Sequence, residues 1–141
     1  MGEEVDPRRD LVDPDTGELE ETRLDVATRD AATGQPIYVD CSVTCAHSDN
    51  LERRRARSNN DGLAASQAVG VKRNRYPPSG GELVPAVLET GGRPADELIS
   101  FVRSYGQDLP ETERSAVIAT AWRRIQRTLV VGNAEMIRSA C

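Results

Sequence analysis

Aromatic residues are scarce in this chain of 141 residues: one Trp, one Phe and three Tyr make up 4% of it. Its core must therefore be built from Val, Leu, Ile and Ala. There is one histidine, His47, and no Ser or Cys arrangement around it that reads as a catalytic triad. No glycine-rich phosphate cradle is present either, because Gly80-Gly81 and Gly91-Gly92 lack the strand-loop-helix context and read as simple turns. A nucleotide-driven enzyme is thus disfavoured. No apolar run approaches the roughly 18 residues of a membrane span, and Met1-Gly2-Glu3-Glu4 lacks the basic start and apolar middle of a signal peptide. A soluble intracellular protein is expected. Three cysteines, an odd number at irregular spacing, do not make a disulfide framework. Lysine is as rare as histidine: Lys72 stands alone beside seventeen arginines, as a GC-rich coding bias would leave it.

What is present is charge, unevenly spread. Charged residues reach 29% against 38% apolar, with a net charge of -5, in a length that suits one domain. Residues 1–22 hold nine acidic residues against two arginines, so the remainder carries a small positive excess. Residues 1–18, with almost no apolar periodicity, read as an acidic flexible arm, and order is expected from Leu19 to the C-terminus. Residues 51–75 carry Arg53, Arg54, Arg55, Arg57, Lys72, Arg73 and Arg75 against Glu52 and Asp61. That stretch either tracks a phosphate backbone, with salt-sensitive binding, or is a solvated arginine-rich surface.

Two apolar strand-like runs each contain one aspartate: Asp25 within Arg23–Ala27, and Asp40 within Ile37–Val43. An ionised carboxylate on a core-facing strand is costly unless it is paired, hydrogen-bonded or holding a metal. The turn chemistry of Asp30–Pro36, with Thr33-Gly34, joins the two runs as a hairpin. Whether Asp25 and Asp40 share a face depends on the register, which the sequence does not fix; strand-end aspartates on a solvated face are the competing reading.

Residues 45–62, rich in Ser, Asn and Arg, are expected as an exposed loop, a flap facing DNA. Leu63–Arg75 reads as a helix with Ala64, Ala68 and Val71 on one face and Pro77-Pro78 beyond its end. Glu82–Glu89 reads as a third strand, confined by Pro85 to an edge or a bulge, before a turn at Thr90-Gly91-Gly92. A helix with Pro94 in its first turn follows, carrying Leu98, Phe101, Val102 and Tyr105 up to Gly106. The last helix begins after Pro110, displays Val117, Ile118, Ala121, Trp122, Ile125 and Leu129 as one stripe, and is expected to stop at Gly132; Trp122 belongs to that core stripe rather than to base stacking. Cys41, Cys45 and His47 form a C-x3-C-x-H cluster without a nearby fourth ligand, and a core thiol is the expected role of Cys41. Glu89 reads either as a further acid of a metal site or as a cap on the glycine turn.

Two acid-bearing strands, a lysine-bearing helix, a strand and a helix, in that order, resemble the core of restriction-endonuclease-like nucleases, the PD-(D/E)XK group. More closely, the chain from Leu24 onward is similar to the C-terminal endonuclease-like region that follows the reverse transcriptase in retrotransposon polyproteins. Leu24-Asp25-Val26, Val39–Val43, Lys72–Tyr76, Leu83–Gly92 and Gln126–Ala134 carry this resemblance, over about four-fifths of the chain. It implies an α/β fold, a mixed sheet of about three to four strands flanked by helices. It further implies metal-dependent DNA nicking, with Asp25 and Asp40 as ligands of Mg²⁺ or Mn²⁺ and Lys72 supporting the transition state. Arg53, Arg54, Arg55, Arg57, Arg73 and Arg75 would contact phosphates, DNA would be the partner, an upstream reverse transcriptase region would precede the domain, and a eukaryotic element would place it in the nucleus. A degenerate domain that binds nucleic acid or protein without cutting is the alternative. The chain departs from the group in three places: Ser42 stands where a lysine normally follows the second acid by two positions, Leu24 where a proline commonly precedes the first, and Arg75 where the retroelement pattern has lysine.

Overall fold

The computed structural model of the protein describes residues 8–12, 19–45, 50–76 and 81–140. Among them the elements run β1 (Arg8–Val12), β2 (Leu19–Arg23), β3 (Val26–Arg29), β4 (Pro36–Thr44), α1 (Leu51–Asn59), α2 (Leu63–Arg75), β5 (Glu82–Glu89), α3 (Asp96–Ser104) and α4 (Glu111–Ala140). The protein is a mixed α/β structure.

β1 and β2 form a two-stranded antiparallel sheet, Val12 opposite Leu19 and Arg8 opposite Arg23. The segment expected as an arm therefore contains a strand; residues 1–7 and 13–18 lie outside the described residues. The second sheet has the order β3-β4-β5. β3 and β4 are the expected hairpin, antiparallel from Val26 opposite Val39 to Arg29 opposite Pro36. Its turn is tied by Asp30, whose Oδ1 accepts the N–H groups of Ala32 and Thr33 and the Thr33 hydroxyl. Gly34, at φ 72°, takes the left-handed conformation that a side chain resists.

β5 lies parallel to β4, Ile37 beside Glu82 through Thr44 beside Glu89. A parallel pair needs a long crossover, which α1 and α2 supply. β5 occupies an edge of this sheet, which tolerates the missing N–H of the buried Pro85.

The strands alternate between two faces. Val39, Val84 and Ala86 face Leu98 and Val102 of α3, with Ile118, Ala121, Trp122 and Ile125 of α4 packed behind. Trp122 is thus part of the core, as its stripe implied. Val87 faces α2, against Ala65 and Val69, and Leu24 is buried with Tyr76 beside Tyr38 and Leu83.

Several sequence expectations are corrected. The strand expected over Arg23–Ala27 is interrupted: β2 ends at Arg23, Leu24 turns inward to full burial, and β3 starts at Val26. The exposed loop expected over 45–62 contains α1, whose arginines are good helix formers and whose first turn is capped by Asn50 Oδ1 accepting the Arg53 N–H at 3.0 Å. Residues 46–49, with His47, lie outside the described residues, as do Pro77 and Pro78.

α2 spans the expected residues but presents another face. Ala64, Ala65 and Val69 are buried while Val71 is 68% exposed. Pro94 precedes the α3 N-cap Ala95 and bridges to Leu88. In α3, Leu98 and Val102 are buried, and Tyr105 lies outside, edge-on to Phe101. α4 does not stop at Gly132 but continues to Ala140, about 45 Å at 1.5 Å per residue. Glycine inside a helix weakens it without ending it. No described helix is long and apolar enough to cross a membrane.

Candidate active site

The buried stripe of α2 continues past Val69. Ala65, Val69, Lys72 and Tyr76 are spaced i, i+4, i+7 and i+11, so Lys72 is carried on the side that packs against the sheet. Alanines at 64, 65 and 68 keep the helix side chains short along this contact. Across from it, Asp40 occupies the α2 side of β4. Lys72 Nζ donates to Asp40 Oδ2 at 2.5 Å, and each side chain retains only 14% of its exposure. The amine also reaches the carbonyl oxygen of Cys41 at 3.5 Å. The most expensive lysine position in a small protein is a desolvated one, and the carboxylate satisfies it there.

Asp25, just before β3, reaches the same strand at the residue after Asp40. Where β4 runs past the start of β3, the Cys41 N–H has no β3 main-chain acceptor, and Asp25 Oδ2 takes it at 2.7 Å. Both aspartates lie within electrostatic reach of the Cys41 sulfur. Partial burial, followed by Asp25 and Asp40, pushes that thiol up from its ordinary 9.0, and Lys72 acts in the opposite direction. Cys41 itself is a free, exposed thiol rather than the core thiol expected, because it alternates onto the opposite face, where α4 leaves a cleft of about 1020 Å³. Cys45 is also exposed and accepts a weak bond from the Thr90 hydroxyl.

Asp40, Ser42 and Thr44 line a polar cleft of about 830 Å³, closed on its other sides by Arg53 and Arg57 of α1 and by Lys72, Asn74 and Arg75 of α2. Ser42 is two residues beyond Asp40, so both side chains open on one face. The arginines are not equivalent. Arg57 is committed to the fold: its Nε and Nη2 donate to Gln67 Oε1, and its Nη1 donates to the Cys45 carbonyl, which docks α1 onto α2 and the end of β4. Arg53 lines the cleft from the first turn of α1, and Arg75 lies 5.6 Å from the Tyr76 ring centre. Arg54 and Arg55 are exposed on α1. Arg73 points elsewhere, to Glu97 of α3 at 3.0 Å.

Glu89 is not beside the aspartates. Its Oε1 accepts the Ala65 N–H at 3.3 Å in the first turn of α2, where a negative charge meets the positive end of the helix. Its main chain forms the turn, accepting from Gly92 N–H and donating to the Arg93 carbonyl. Glu89 thus fixes the helix that carries Lys72. Gln67, which holds Arg57, was not singled out by sequence reasoning, and a lone glutamine on a helix gives no signal of such a role.

Among the described residues no group of three or more His, Cys, Asp or Glu side chains could hold a metal ion. Two carboxylates are nevertheless a number that Mg²⁺ commonly takes from a protein, with waters and a substrate phosphate completing the octahedron. Asp25 and Asp40 match that donor chemistry. No family model matches the chain, and neither a curated protein nor a solved structure matches it.

Proposed function

We propose that the chain is a restriction-endonuclease-like module that hydrolyses DNA phosphodiester bonds with a divalent metal, of the kind that accompanies a retroelement reverse transcriptase. The observation that carries this reading is the contact of Lys72 with Asp40, between a helix and the central strand of the sheet, with Asp25 bound to the next residue of that strand. Asp40 and Lys72 thereby stand together in the wall of a cleft that also holds Arg53 and Arg75, and Asp25 is tied to the strand at the residue after Asp40.

In this mechanism Asp25 and Asp40 would hold Mg²⁺ or Mn²⁺, which would supply Lewis-acid polarisation of the phosphate and a more acidic water. Arg53 and Arg75 hold the flanking phosphates by charge. Lys72 supplies positive charge to the phosphate oxygens as negative charge grows on them, in a site partly withdrawn from water where that charge acts strongly. Reaching in from α2, it takes the role a lysine at position 42 would have had, and Ser42 leaves it room. Glu89 and Gln67 act through others, the first on the start of α2 and the second on Arg57.

The experiment is nicking of supercoiled plasmid by the full chain with Mg²⁺ or Mn²⁺. Metal-dependent nicking is expected, lost in Asp25→Ala, Asp40→Ala and Lys72→Ala alike. Nicking that survives Asp40→Ala, or that ignores chelator, would refute the assignment. Salt-sensitive DNA retention without cleavage would support the second reading, a binding domain that has lost catalysis, which the Ser42 substitution favours.

A further inference from the structure

Lys72 is closer to Asp40 than a supporting lysine needs to be. Its ammonium is at 2.5 Å from Oδ2, both groups are largely withdrawn from solvent, and the Cys41 carbonyl provides a second acceptor. Asp25 is engaged by a main-chain N–H rather than by a cation. Thus the positive charge that Asp40 needs is already supplied by the protein itself.

We propose that Lys72 is the resident cation of the site, and that it competes with a divalent metal for Asp40. This rests on the metal-binding reading given above. An ammonium and a divalent ion held by the same carboxylate repel each other strongly where water is scarce. Lys72 must therefore leave Asp40 as the metal arrives. A lysine can do so: its flexible stem swings a point charge from one acceptor to another, whereas an arginine fork would be fixed by its geometry. The place for it to go is the phosphate of a nucleic acid lying between Arg53 and Arg75 in the same cleft. The exchange couples substrate to metal, so each tightens the other's binding by the same factor. The protein without DNA keeps Asp40 neutralised and holds metal weakly.

Two measurements on the full chain test this. Titration with Mn²⁺, followed by electron paramagnetic resonance, is expected to show about tenfold tighter binding or better in Lys72→Met than in the unmodified protein, and none in Asp40→Asn. Because Lys72 is the only lysine, reductive methylation with formaldehyde, read by peptide mass spectrometry, reports its freedom without any substitution. Saturating Mn²⁺ is expected to accelerate that labelling severalfold. Equal or weaker Mn²⁺ binding in Lys72→Met, with binding still lost in Asp40→Asn, overturns the competition while leaving the metal reading intact, and so does labelling indifferent to bound Mn²⁺. Absence of Mn²⁺ binding in both the unmodified protein and Lys72→Met removes both. Should Lys72→Met fail to fold, the labelling result decides.

Discussion

The Asp25 carboxylate is hydrogen-bonded to the main chain of Cys41, at 2.7 Å from its nitrogen. It closes the hairpin where its ladder runs out, at the residue of β4 that follows Asp40. Substitution separates this role from metal binding. Asp25→Asn keeps an oxygen for the Cys41 N–H and is expected to unfold thermally close to the unmodified protein, with metal-dependent nicking lost. Asp25→Ala removes the acceptor as well and is expected to cost about 1 kcal/mol in urea unfolding.

The arginines are expected to sort by where they point. Arg53→Ala should weaken DNA retention on filters and reduce the slope of log affinity against log salt by about 0.9, the signature of one lost phosphate contact. Arg73→Ala, whose guanidinium is spoken for by Glu97, should change neither. Arg57→Ala should lower stability by about 1 kcal/mol, since it removes the hydrogen bonds to Gln67 and the Cys45 carbonyl that dock α1.

Acid should loosen the β3–β4 turn through Asp30. Its bonds from the Thr33 hydroxyl and N–H, and from Ala32 N–H, hold its carboxyl below the ordinary 3.8. A carboxyl depressed in the folded state stabilises fully above the unfolded value and loses that contribution as pH falls through the folded one. Urea midpoints of the unmodified protein and Asp30→Ala are therefore expected to differ at neutral pH and to converge below 3.8.

Gly132 lies inside α4, and a methyl group added there would meet no atom within 4 Å. Gly132→Ala is expected to raise stability by about 1 kcal/mol by favouring the helix. Calorimetry showing a lower melting temperature would contradict the continuous helix.

The hairpin was legible because Thr33-Gly34 between two apolar runs has few alternatives, and β5 because Pro85 restricts it to an edge. Asp40 and Lys72 were identifiable as individual residues, but their contact was not. The α2 sequence offers two stripes, Ala64-Ala68-Val71 and Ala65-Val69-Lys72. Apolar character selects the first, whereas the carboxylate waiting on β4 selects the second. α1 was hidden because serine, asparagine and arginine read as loop residues until Asn50 is recognised as a cap. Leu24 and Asp25 broke their strand for tertiary reasons, one side chain drawn inward beside Tyr76 and the other onto Cys41. Parallel pairing of β4 with β5 has no local signature; it follows from two helices filling the interval between them.

That parallel pairing has a consequence for the order of assembly. The polypeptide leaves β4 at Thr44, returns through α1 and α2, and is locked in place only when Glu82–Glu89 lies alongside. Since Lys72 rides on the return path, a chain that stops at residue 75 holds both acids and the amine but lacks the strand against which Ala65 and Val69 pack. A product truncated before Glu82 is therefore expected to hold Lys72 less firmly over β4 than the full chain does.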